Sequence, residues 1–365
     1  ISNKLYTEDD FSFSGTDVVK GTNVGTYPMG LAEDQFTNNN DNFTVTFVVA
    51  DGQLEITPVT DKVTVTITEH KGTEVYKGDA YTVSGYDVEI SNPLYSKLDF
   101  VFSGTASVSG TNVGKYDMEL KPADFTNISK NFANVEFVIV DGALEITKRA
   151  IEITAGSDSK EYDGTALVKN SYTNTDPAEG DVLTSVTVTG SITEVGTTAN
   201  VPSAAVIMDG EEDVTANYAI TYVNGELEIT QSTKELVVTA NSNTWTYDSE
   251  THADGGYTVT YGDETYTVKA GEAATLSTGD TVTATITKTV KNVADSGVNE
   301  IVTLVVENAE QYAKITEVDG ELTITQKEVT ITADSNAKEY DGTALTDDGY
   351  TIEGLATGDA ETSVT

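Results

Sequence analysis

Asp141-Gly142-Ala143-Leu144-Glu145-Ile146-Thr147 decides how this chain is read, because it occurs more than once. It returns as Asp51-Gly52-Gln53-Leu54-Glu55-Ile56-Thr57, as Asn224-Gly225-Glu226-Leu227-Glu228-Ile229-Thr230 and as Asp319-Gly320-Glu321-Leu322-Thr323-Ile324-Thr325. Successive copies stand 90, 83 and 95 residues apart. Self-similarity at a near-constant spacing is the signature of a tandem array. Asp-Gly or Asn-Gly ahead of an alternating apolar run predicts a tight turn feeding a strand, so the phrase reads as the last hairpin of each repeat.

Directly after each copy comes a second alternating run: Val63-Thr64-Val65-Thr66-Ile67, Ile151-Glu152-Ile153-Thr154, Leu236-Val237-Val238-Thr239 and Val329-Thr330-Ile331-Thr332. A period of two in β-branched residues predicts half-buried strands, here the first strand of the next repeat. Only short connectors such as Lys148-Arg149-Ala150 and Gln326-Lys327-Glu328 separate the two runs. Linkers that short leave little room to swivel, which predicts an elongated, semi-rigid, monomeric rod. The expected modules are 1–58 (lacking its beginning), 59–148, 149–231, a divergent 232–326 and 327–365 (lacking its end). The predicted fold class is all-β, an elongated array of tandem small β-domains, each an Ig-like sandwich or a β-grasp-like sheet. Leu31-Ala32-Glu33-Asp34-Gln35-Phe36 and Lys121-Pro122-Ala123-Asp124-Phe125 predict single helical turns. Nothing else carries apolar residues at helical spacing.

Composition narrows the function classes. Sixty acidic against twenty basic residues give a formal net charge of −40, which repels phosphate backbones and anionic membrane surfaces alike. Nucleic acid and direct membrane contact are therefore not expected. Cysteine is absent, which removes disulfide scaffolds, thiolate metal sites and thiol catalysis together. The chain has 38% hydrophobic residues, 18 Tyr and 10 Phe, enough to build packed cores despite the charge.

A further phrase, Lys160-Glu161-Tyr162-Asp163-Gly164-Thr165-Ala166-Leu167, returns as Lys338-Glu339-Tyr340-Asp341-Gly342-Thr343-Ala344-Leu345. Val75-Tyr76-Lys77-Gly78-Asp79 is a degraded copy, and Tyr247-Asp248-Ser249 has lost the glycine. Asp bonding its own backbone two residues on, with Gly at positive φ, predicts a structural turn at Tyr162, Asp163, Gly164 and at Tyr340, Asp341, Gly342. Its tyrosine is expected to present a ring to the core and a hydroxyl to the rim. With Gly180-Asp181, Val195-Gly196-Thr197 and the closing Gly-Glu-Leu-Glu-Ile-Thr, the phrase resembles the YDG and MBG-type repeats of long bacterial surface adhesins, frequent in gut Firmicutes. The likeness runs over most of the chain, strongest in 149–231 and 327–365. It implies extracellular, wall-attached display and a part in stalks or adhesion.

Catalytic readings fail residue by residue. The two histidines, His70 and His252, lie in different repeats within turn-like sequence, with no nucleophile-elbow motif near either. Acidic residues fall on alternating strand positions and in turns, as solvated faces do, so no glycosidase pair stands out. No enzyme activity and no cofactor are expected. Asp209, Glu211 and Asp213 group hard oxygen donors in one loop, a weak Ca²⁺ candidate that lacks the EF-hand pattern. Trp245, Tyr247, Tyr257, Tyr261 and Tyr266 fall within 22 residues of the divergent repeat. Exposed, they would form a partner-binding surface; buried, they are core. The sequence therefore predicts a non-catalytic adhesin segment binding a host protein (immunoglobulin or mucin) or a glycan. The alternative is a structural stalk that projects a distal head.

Overall fold

The computed structural model describes residues 1–359. Among them every regular element is a strand or a single 3-10 turn, so the all-β expectation holds. The two anticipated helical turns are present as Glu33–Gln35 and Pro122–Asp124. The chain divides into two compact units. The first holds residues 1–151, 176–184 and 206–219; the second holds 152–175, 185–205 and 220 onward.

In the first unit, strand Val63–Glu69 is the centre of a mixed sheet, antiparallel to Tyr86–Ile90 and parallel to Val135–Val140. Its alternation is the cause: Val63, Val65 and Ile67 point inward with no exposed surface, while the intervening threonines face outward. Each such side chain contributes about 1.5–3 kcal/mol by leaving water. The inward face meets the antiparallel pair Phe100–Phe102 and Phe125–Asn127, with Tyr95, Met118, Leu120 and Phe132 closing the core. After the first strand the chain kinks and continues as Gly72–Val75 in a different sheet, parallel to Ala143–Thr147. That last strand also pairs antiparallel with Gly114–Asp117. In residues 1–58 the corresponding rings, Tyr6, Phe11, Phe36, Phe43 and Phe47, line an open cleft.

The second unit repeats this plan in 232–326. Leu236–Ala240 lies between Tyr257–Tyr261, antiparallel, and Ile315–Val318, parallel. Asn243–Thr246 then runs parallel to the last four residues of strand Gly320–Thr325, whose first three pair antiparallel with Gly297–Asn299. Residues 158–161 pair parallel with 227–230 in the same manner, and 196–200 pair antiparallel with 225–229. Toward the end of the described chain, Thr330–Ala333 pairs antiparallel with Tyr350–Glu353.

One expectation is corrected. The closing phrase does not fold back as a hairpin: Val135–Val140 and Ala143–Thr147 belong to different sheets, and Asp141-Gly142 is the crossing between them. Gly142, Gly225 and Gly320 have no positive φ. They are glycines because the crossing passes against the kink between the first two strands. A Cβ would overlap the backbone of Glu69 and His70, of Ala155 and Gly156, and of Ala240 and Asn241, respectively. At each kink a buried polar side chain secures the crossing. Glu69 accepts from the amides of Leu120 and Gly142 at 2.7 and 2.6 Å. Asn200 donates to Gly156 and Lys169 carbonyls, and Asn299 to those of Asn241 and Asp254.

Candidate functional site: the junctions between repeats

The Tyr-Asp-Gly phrase lies at the end of the second strand of its repeat, where the sheet runs out. The amides of Tyr76, Tyr162 and Tyr247 donate to the carbonyls of Thr147, Thr230 and Thr325, the last residues of the closing phrases. The backbone is thus held in its own repeat, but the side chain leaves it. Tyr162 Oη donates to Asp280 Oδ2 at 2.9 Å, 118 positions further on. The same oxygen accepts from Tyr312 Oη at 2.6 Å, and Asn308 Nδ2 donates to the other carboxylate oxygen at 2.7 Å. The Tyr162 and Tyr312 rings meet edge to face, 6.0 Å between centroids. Tyr162, Leu167, Leu227 and Ile229 share one continuous hydrophobic cluster with Leu236, Tyr257 and Tyr312, so repeats 149–231 and 232–326 have a joined core.

Two glycines make the fit. Gly164 stands at φ +77°, and a Cβ there would overlap the carbonyl of Thr278, two residues before Asp280. Gly279, at φ +94°, turns the loop that presents Asp280. Asp163 is held within the phrase: its Oδ1 accepts from Lys160 Nζ and Thr165 Oγ1 at 2.7 Å and from the Thr165 amide at 2.9 Å. Those bonds, the lysine's foremost, bring its carboxyl down to about 2. Asp341 has the matching contacts with Thr343 and Lys338.

The arrangement recurs. Inside the first unit, Tyr76 packs edge to face on Tyr218 at 5.5 Å, and Tyr218 Oη donates to Asp181. Gly78, at φ +89°, faces the Glu179 carbonyl. In the second unit, Tyr247 Oη donates to Asp359 Oδ1 at 3.2 Å, and Ser249, at φ +67° in the glycine's place, donates to the same oxygen. A second contact accompanies the ring. Asn131, Asn217 and Gln311 accept from the amides of Val24, Val113 and Val195 in the preceding repeat, at 2.7, 2.8 and 2.5 Å. Burial first, then the neighbouring Asp280 or Asp181 carboxylate, pushes the Tyr162 and Tyr76 hydroxyls up to about 12. The same two causes raise Tyr218 and Tyr312.

Gly180-Asp181 stands out in the sequence, but nothing in the sequence gives it a partner. Asp280, Asp359, Tyr218, Tyr312 and the Asn131, Asn217 and Gln311 contacts were missed. A signal existed: Gly-Asp recurs at 180–181, 279–280 and 358–359, and Asn-Tyr or Gln-Tyr at 217–218 and 311–312. Tyr162 was expected in the core of its own repeat and instead enters the next. Tyr340 is fully exposed.

The aromatic set of 232–326 is dispersed. Tyr257 and Tyr261 are buried in the core; Tyr257 Oη donates to the carbonyls of Glu272 and Val282, and Tyr261 Oη bonds Ser232 Oγ. Tyr247 belongs to the junction. Tyr266 is half-buried and donates to Glu264. Half-buried Trp245 stacks on His252 at 4.8 Å beside Val290, Leu322 and Ile324. His252 contacts Asp248 at 2.9 Å, and exposed His70 contacts the Ser84 carbonyl. Asp209, Glu211 and Asp213 sit exposed in a hairpin, with Asp213 accepting from the Thr215 amide. Among the described residues no three such donors are grouped to hold a metal ion, and no helix is long and apolar enough to cross a membrane.

What fold and junctions together define is a series of cysteine-free β-repeats, each keyed into the next. Residues 63–148 match the model of the MBG domain family, so this stretch is similar to an MBG module. A search of curated proteins finds no match. Among solved structures, the I9–I11 tandem of titin is similar over 72% of this chain and 99% of its own, at 10% identity and a TM-score of 0.17. Drosophila OTK extracellular domains 3–5 cover 74% of this chain and 99% of their own, at 10% identity and a TM-score of 0.13. Neither likeness bears on the fold or the function of this chain.

Proposed function

We propose that this chain is a non-catalytic spacer segment of an extracellular, wall-attached bacterial surface protein. Its repeats are fastened to one another so that they carry a binding head outward. The observation that supports this most is the Tyr162–Asp280 bond, with the Tyr247–Asp359 bond and the Tyr76–Tyr218 ring contact in the equivalent places. A spacer must resist bending at its joints, and a buried inter-repeat hydrogen bond resists it where a three-residue linker alone would not. A net charge of −40 keeps such a chain soluble and apart from its neighbours. The resemblance to adhesin repeats supports display outside the cell.

Spacer is favoured over grip because the tyrosines that would have formed a binding face, Tyr257 and Tyr261, fill the core instead. The test is to immobilise the full chain and pass serum and mucosal fluid over it. The expected result is no specific retention. Retention of an immunoglobulin, a mucin or a glycan, lost on Trp245→Ala, would replace the spacer reading with the binding one.

A further inference from the structure

Four edge-to-face ring pairs occupy equivalent places in successive repeats: Tyr6 on Phe43, Tyr95 on Phe132, Tyr76 on Tyr218 and Tyr162 on Tyr312. Their centroids are 5.4, 5.1, 5.5 and 6.0 Å apart, with interplanar angles of 77°, 83°, 76° and 81°. Phe132, Tyr218 and Tyr312 each directly follow Asn131, Asn217 or Gln311, the side chain that reaches back to the preceding repeat. The second ring of each pair is therefore the same structural position. The first ring has two sources. In 1–58 and 59–148 it belongs to the same repeat, and its hydroxyl is satisfied there: Tyr95 bonds the Asp99 carbonyl and Asn127, and Tyr6 bonds the Asp10 carbonyl and Asn38. In 149–231 and 232–326 the preceding repeat supplies it, and a Gly-Asp loop meets it.

We infer that the Tyr-x-Gly phrase is a docking element whose partner is a β-repeat with an unfilled ring slot and a Gly-Asp loop. A repeat that fills its own slot with a tyrosine cannot receive it. Repeats then fall into two docking classes, and the class of the following repeat decides which neighbours can lock. This goes beyond the spacer reading and stands whether or not the chain binds a host molecule.

The chemistry of recognition is specific on three counts. The slot is walled by an aromatic ring, which favours a planar ring presented edge-on. Its floor is a carboxylate already accepting from other donors and 4% exposed in the case of Asp280, which favours a neutral hydroxyl over any second acid. The approach is too close for any side chain at Gly164.

Hydrogen exchange on the full chain tests this. Tyr162→Phe keeps the ring and removes the donor; Tyr162→Ala removes both. Both are expected to speed exchange at the Leu276 and Gly279 amides, which close the Asp280 loop, by about tenfold or more. In Tyr162→Phe the ladder between 158–161 and 227–230 should keep its protection. Gly164→Ala should have the same remote effect, whereas Gly342→Ala, with nothing within 4 Å, should have none on a neighbour. Tyr95→Phe should loosen 59–148 alone. The inference is overturned if the Tyr162 variants loosen only 149–231 or leave the Asp280 loop unchanged. It is equally overturned if Tyr95→Phe loosens residues 1–58.

Discussion

Tyr162 and Asp280 belong to different repeats and are 118 positions apart, yet the hydroxyl of one is bonded to the carboxylate of the other at 2.9 Å, out of water. Each would be costly to bury alone. Buried together, with Tyr312, Asn308 and Thr278 completing the carboxylate's partners, they tie the folding of one repeat to its neighbour.

Alkaline pH should therefore loosen the junctions. The Tyr162 and Tyr76 hydroxyls are raised to about 12, above the ordinary tyrosine value of about 10. Between those values the unfolded chain has lost protons that the folded chain still holds, so stability falls as pH rises. It is fully present below about pH 10 and is lost progressively up to about 12. Denaturant midpoints measured alongside phenolate absorbance should fall through that window, and a flat profile would contradict the burial of these hydroxyls.

Asp280→Asn is expected to destabilise 232–326 by about 1–3 kcal/mol, because four side-chain donors, from Tyr162, Thr278, Asn308 and Tyr312, lose a charged acceptor and the new amide brings donors of its own. Equilibrium denaturation, resolved by exchange at the Asp280 loop, measures this. Asp348→Asn, in exposed sequence, is the control and should cost under about 0.5 kcal/mol.

Gly142→Ala, Gly225→Ala and Gly320→Ala should each cost about 1–3 kcal/mol or more, since the added methyl must displace backbone. Gly52→Ala, with the same place in the closing phrase, meets only the flexible Met29 side chain and should be nearly silent. Thermal melts of the four variants separate close approach from turn conformation as the reason for the glycine. A hairpin turn would predict equal losses.

Glu69→Ala removes the acceptor of two buried amides, those of Leu120 and Gly142, at about 1–3 kcal/mol for each. Glu69→Gln retains one acceptor oxygen and should lie between. Circular dichroism melts give the order, and an Ala variant as stable as wild type would show that water reaches the kink.

Removing metal should change nothing. Asp213 already caps Thr215, and its hairpin partners are solvated. EDTA is expected to leave the melting midpoint in place; a drop restored by Ca²⁺ would assign the 209–213 loop to calcium.

Much of this was legible from local pattern. Alternation in Val63-Thr64-Val65-Thr66-Ile67 named the inward face correctly, because side chains in a strand alternate whatever the strand pairs with. Lys121–Phe125 was read as a helical turn and is one. The hairpin reading of Asp141-Gly142 failed because Asp-Gly reports a tolerance of tight backbone, and a sheet crossing needs that tolerance as much as a turn does. The candidate binding face in 232–326 was dispersed for a related reason: spacing places Tyr257 and Tyr261 on one side of a strand but does not say which side is covered.

The sequence by itself determined the repeats, their strand faces, the charge and the exclusion of cysteine chemistry, all of which depend on neighbours a few residues apart. Only the tertiary structure decided that the first strand pairs parallel with one about seventy residues later, and that a turn phrase is a plug for the next repeat. Pairing and docking are set by which buried groups find partners across long loops, and a linear spacing carries no direction for a side chain once the sheet that bears it has ended.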